Sequence, residues 1–171
     1  MNFKRWLPTF LAFPIGGYLA YGTIGSVEGP ASAAAAGLIA GAVIGAGQWL
    51  ALRGEGIDAR WAAVTAAAMT AGVTVATLIT GAGTETADLV LTGAVAGTAV
   101  GAAQAALLGS GRLAWTAVTG GSWALAWIIS SAVLAQNADQ GFVIFGSSGA
   151  LVATILTGLA LRRRTGALAA V

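Results

Sequence analysis

The stretch Gly41-Ala42-Val43-Ile44-Gly45-Ala46-Gly47-Gln48-Trp49-Leu50-Ala51-Leu52-Arg53 decides how this chain reads. It closes an uncharged run that starts at Ala31 and stops at an arginine. About 20 mostly apolar residues are needed to cross roughly 30 Å of hydrocarbon, and Ala31–Leu52 meets that length. Five more windows do the same: Trp6–Gly25, Trp61–Gly81, Ala87–Leu108, Leu113–Gln136 and Gly141–Leu161.

Composition agrees. Of 171 residues, 57% are hydrophobic and 8% charged, and mean hydropathy is +0.85. Eight basic and six acidic side chains are too few to clothe a soluble domain of this length. The expectation is a single all-α integral membrane domain over residues 1–171, a bundle of six transmembrane helices. The start of the chain, Lys4-Arg5 before an apolar run, has some look of a secretory leader, but that run is long enough to span and we read it as a retained helix.

Charge placement gives the direction, because Lys and Arg close to a span stay in the cytoplasm. Lys4 and Arg5 precede the first window, and Arg53 and Arg60 separate the second from the third. Arg112 separates the fourth from the fifth, and Arg162, Arg163 and Arg164 follow the sixth. The alternate turns carry Glu28, then Glu85 and Asp88, then Asp139, without a basic residue. Both termini are therefore expected in the cytoplasm, with a bacterial inner membrane as the location. The basic residues are scattered and form no stripe, so nucleic acid is not an expected partner.

The windows also resemble one another. Ile44-Gly45-Ala46-Gly47-Gln48 aligns with Val100-Gly101-Ala102-Ala103-Gln104, and a weaker copy ending in Leu161-Arg162 places Thr157 at the glutamine position. The odd-numbered windows open on Trp6, Trp61 and Trp115, followed eleven residues later by Gly17, Gly72 and Ala126. One hairpin repeated over about 6–53, 61–108 and 113–162 accounts for this. All copies point the same way, unlike the inverted repeats of many secondary transporters.

Three groups of residues stand out. Gly41, Gly45, Gly93, Gly97 and Gly101 form small-x-x-x-small patterns that let helix backbones approach closely. Gln48, Gln104 and Thr157 are expected to face the interior, as glue between helices or as a polar ring at the inner mouth of a pore. Trp6, Trp61 and Trp115 read as interfacial anchors, because an indole suits the headgroup boundary. Deeper in the fifth window, Trp123 and Trp127 read first as lipid-facing or packing residues, with the wall of a pocket for a flat apolar molecule as the lesser reading. The many threonines and serines can bond back to their own helix carbonyls.

Absences narrow the chemistry. The chain has no His and no Cys, and no charge falls in the middle of a window, where proton relays and voltage sensors keep theirs. No metal or cofactor site and no catalytic constellation can be assembled from what remains. An enzyme is not expected.

At Gly41-x-x-x-Gly45-x-x-Gln48-Trp49-Leu50-x-Leu52-Arg53, followed by Trp61, the chain resembles a loosely defined group of small bacterial multi-span membrane proteins. They carry a Gly-rich helix ending in Gln-Trp-Leu-x-Leu-Arg and then a Trp-led helix. The resemblance implies architecture and no activity. The leading functional expectation is a structural or accessory membrane bundle, without a cofactor, that meets lipids, a second copy or a larger membrane complex. The alternatives are a small channel or facilitator for a neutral or apolar solute, and a lipid- or pigment-binding module.

Overall fold

The computed structural model describes residues 2–109, 111–133 and 147–168, and among them the secondary structure is helical throughout. The short α1 (Phe3–Trp6) passes through a 3-10 segment, Leu7–Leu11, into α2 (Ala12–Ile24). Then come α3 (Pro30–Leu52), α4 (Arg60–Thr80), α5 (Thr86–Leu107), α6 (Arg112–Val133) and α7 (Ser147–Leu168). Residues 134–136 of the fifth window, residues 141–146 of the sixth, and the expected outer-turn Asp139 lie outside the described residues.

Helix ends follow local chemistry. Pro30, which needs no N–H partner, opens α3, and the Ser32 hydroxyl reaches back to accept the backbone N–H groups of Glu28 and Gly29. α2 and α4 stop at Gly25 and Gly81, whose positive φ of 79° and 63° turns the chain out of the helix at no Cβ cost. At the other end of the first segment, Pro8 sits in the 3-10 stretch and offers no N–H to the preceding turn. The predicted helix Trp6–Gly25 is therefore wound in two styles. α7 continues past the end of the sixth window at Leu161 to Leu168, carried on by the strong helix formers Arg162, Arg163 and Arg164.

Among the described residues three helices are long and apolar enough to cross a membrane: Pro30–Glu55, which includes a final 3-10 turn, Arg60–Thr80 and Thr86–Leu107. Large apolar side chains, among them Leu38, Leu78, Ile79 and Ile128, face outward.

Each of α2 to α7 packs on its neighbour in the chain, and α7 packs back on the 3-10 segment and α1, so the bundle closes on itself. Glycine sets how closely the helices meet. A Cβ built on Gly45 would lie 2.8 Å from the Ala62 carbonyl oxygen of α4, and one on Gly101 would lie 3.0 Å from the Thr116 Cα of α6. Gly41 lies against Met69 and Ala66, Gly93 against Trp123 and Trp127, and Gly97 against Trp123. The patterned glycines of α3 and α5 are thus consumed in contacts within the chain. Gly72 of α4 meets Ala96 of α5, and Ala126 of α6 meets Gly149 of α7.

Two apolar clusters result. The larger runs through the middle of the bundle, from Phe13 and Ile44 to Val100 and Trp127. The smaller gathers Trp6, Leu52, Trp61, Trp115 and Leu161 at the arginine-bearing end.

Candidate functional site

The most polar part of the interior lies at that arginine-bearing end. Gln48 on α3 and Gln104 on α5 are 6% and 1% exposed. Their amides meet, Gln104 Nε2 donating to Gln48 Oε1 at 2.9 Å and to the Thr65 hydroxyl at 2.9 Å. Two indoles complete the knot: Trp61 Nε1 donates to Gln48 Oε1 at 3.1 Å and Trp115 Nε1 to Gln104 Oε1 at 3.3 Å. An indole N–H only donates, so the amide atom it faces must be the oxygen, which fixes the orientation of both glutamines. Thr65 in turn gives its proton to the Trp61 carbonyl.

Trp6, Trp61 and Trp115 are 1%, 0% and 2% exposed. Their rings are enclosed by protein and face no headgroup layer. The cause is the hydrogen-bond partner each finds on a neighbouring odd-numbered helix: Gln48 of α3 for Trp61, Gln104 of α5 for Trp115, and the Thr154 carbonyl of α7 for Trp6, at 2.8 Å. Trp61 and Trp115 also lie tilted against each other, their ring centroids 6.2 Å apart. Thr157 is buried, but its hydroxyl donates to the Ala153 and Thr154 carbonyls of its own helix and does not enter the knot. The sequence signal for the tryptophans was the near-constant distance from each glutamine to the next Trp-led helix, Gln48 to Trp61 and Gln104 to Trp115.

Above the knot the interior opens. A cavity of about 210 Å³ is walled by residues of α2 through α6, its floor at Ile44 and Met69, each one helical turn from Gln48 and Thr65. Phe13, Leu89, Trp123 and Trp127 supply most of the apolar wall, and Phe13 and Trp123 meet edge to face with centroids 5.4 Å apart. At the opposite, acid-bearing end the rim includes Tyr21, Ser26 and Thr84, all exposed. Among the described residues no Asp, Glu, Lys or Arg lines the cavity. Thr80 on its wall bonds back to the Ala76 carbonyl. Among the described residues no three His, Cys, Asp or Glu gather where a metal could bind.

Several expected back-bonds are present: Thr70, Thr74, Thr116 and Thr119 each donate to the carbonyl four residues earlier. The buried hydroxyls of Thr9, Ser130 and Ser131 have no hydrogen-bond partner.

No protein-family model matches this chain, and no curated protein or solved structure is similar to it.

Proposed function

We propose that this chain is a non-catalytic, membrane-embedded bundle of six spans that holds an apolar small molecule or lipid chain in its central cavity. The observation that carries the reading is the shape of the interior: an uncharged cavity walled by Trp123, Trp127, Phe13 and Met69, open toward the acid-bearing end and floored at the other. Ligand pockets are mostly apolar with a few polar groups that orient the guest, and Tyr21, Ser26 and Thr84 at the rim fit that role. At about 30 Å³ per water in the liquid, the cavity has room for about seven waters, or for a ring or short chain segment of similar bulk.

Six spans, three hairpins of one orientation and two cytoplasmic termini belong to the same proposal. They are supported by the one-sided basic residues, by outward-facing Leu and Ile, and by burial recurring at Gly41, Ile44, Gly45 and Gln48 and again at Gly97, Val100, Gly101 and Gln104. A through-going pore is the weaker reading, since the Gln48–Gln104 knot and the enclosed tryptophans fill the arginine-bearing end. Docking through the small-residue faces is weakened too, because those faces are already occupied inside the chain.

The full chain in micelles, titrated with a brominated medium-chain alcohol, provides the test. Saturable quenching of part of the tryptophan emission is expected. That component should vanish in Trp123→Phe/Trp127→Phe and weaken in Thr92→Phe, which narrows the cavity while keeping both indoles. Quenching that never saturates, and that the double variant shares in full, would overturn the reading.

A further inference from the structure

The 3-10 segment after Trp6 leaves a second hollow that α4 and α6, unbroken from Trp61 and Trp115 onward, do not create. It is an outward groove of about 750 Å³ between Leu7–Leu11, the start of α2, and the last three turns of α3. Its walls are apolar, and Leu11, Ile15 and Leu50 on them are about half exposed, at 47%, 51% and 51%. Its arginine-bearing end is flanked by Arg5 and Arg53. Both are exposed, and the Arg5 guanidinium lies against Gly54, within 3.3 Å of where a Cβ there would stand. Arg60 pairs with Asp58 at this end, and among the described residues no carboxylate is seen against Arg5 or Arg53. A separate observation points to a ligand: Thr9 lines the same groove, is only 6% exposed, and its hydroxyl has no hydrogen-bond partner.

We propose that this groove is a binding site for one anionic phospholipid. Arg5 and Arg53 take the phosphate, as juxtamembrane basic residues attract acidic headgroups, with guanidinium forks suited to its oxygens. Thr9 donates to a phosphate or ester oxygen. The acyl chain lies along Leu11, Ile15, Val43 and Leu50, away from the charges. Charge complementarity selects the occupant: a zwitterionic lipid brings its own cation beside the phosphate and an uncharged helix brings no anion, so only a net-anionic headgroup neutralises the two arginines. The site rests on the membrane-embedded reading but not on the central cavity having a guest.

Native mass spectrometry of the full chain, released from micelles containing equal phosphatidylglycerol and phosphatidylcholine, tests it. One retained phosphatidylglycerol is expected, with about a fivefold loss of affinity for each arginine neutralised, so that Arg5→Gln/Arg53→Gln falls to the phosphatidylcholine level. Arg112→Gln, whose guanidinium bonds the Gly109 carbonyl at the same end, should keep the lipid. Ala46→Phe should lose it by filling the groove with both arginines in place. Unfolding midpoints near the parent value establish that each variant is folded. Equal retention of the two lipids by the parent, or equal losses in Arg112→Gln and the double variant, would overturn the site. A dimer that Ala46→Phe dissolves would assign the groove to a second copy and overturn it as well. Release of the protein from membranes by alkaline carbonate would instead refute embedding itself, whichever lipid is retained.

Discussion

At the scale of single residues, Gln104 carries the densest set of side-chain bonds, giving its two amide protons to Gln48 and Thr65 and accepting from Trp115. Gln104→Leu strands the Trp115 N–H and removes a donor from two oxygens. Interhelical bonds in membranes contribute about 0.6 kcal/mol on average, so a loss of about 1–2 kcal/mol is expected, with a shift in tryptophan emission as the indole loses its acceptor. Thr157→Val, whose hydroxyl touches only its own helix, should cost under about 0.5 kcal/mol. Denaturant unfolding in micelles measures both, and equal costs would refute the knot. That both glutamines must find partners inside could be read from sequence, since an amide in hydrocarbon needs them. That indoles would be among those partners could not, because a tryptophan beside a basic residue suits the headgroup boundary equally well until the neighbouring helix is in place.

At the scale of elements, the windows predicted for α3, α4 and α5 agree with the helices to within a residue at each end, because uninterrupted Ala, Gly, Val and Leu between charged or glycine stops leave little room for error. The first segment was harder to read: Pro8 marks a possible break, but only the packing against α3 and α7 determines how the turns rewind. Close approach of α3 and α4 makes Gly45→Ala an informative change, since the new methyl would press on the Ala62 backbone and Thr65. Overpacking of this kind costs about 1–3 kcal/mol, whereas Gly22→Ala, with open space around the new methyl, should be neutral or slightly stabilising. The start of α4 adds a pH effect. The Asp58 carboxylate accepts from the Arg60 guanidinium and from its backbone N–H, and these bonds, the side-chain one foremost, hold its pKa below the ordinary value. The stabilisation is therefore present above the usual aspartate pKa and is lost as pH falls through the lowered one. Both groups are exposed, so the effect is small. Asp58→Asn should flatten the acid limb of the stability profile slightly and leave neutral pH nearly unchanged.

At the scale of the whole molecule, direction in the membrane can be tested because the chain has no cysteine of its own. Single cysteines at Glu28 and Thr84 should react with an impermeant maleimide added outside intact cells, and those at Gly56 and Gly111 only after lysis. Labelling of all four from outside would refute two cytoplasmic termini. The central cavity lay beyond sequence reasoning, because its volume depends on how side chains from five helices fail to fill a common space; for Trp123 and Trp127 the sequence favoured packing or a lipid-facing place over a pocket wall. The seam that closes the bundle has a further consequence, in time. Trp61 finds its acceptor only 13 positions back along the chain, so that pair can form as soon as α4 is made. Trp6 must wait for Thr154, 148 positions later, which at about 5–20 residues per second of synthesis is roughly 7–30 s. During biosynthesis the Trp6 seam is thus among the last contacts to close. A nascent chain stalled before α7 would have α2 against α3 but its Trp6 indole still without the Thr154 acceptor.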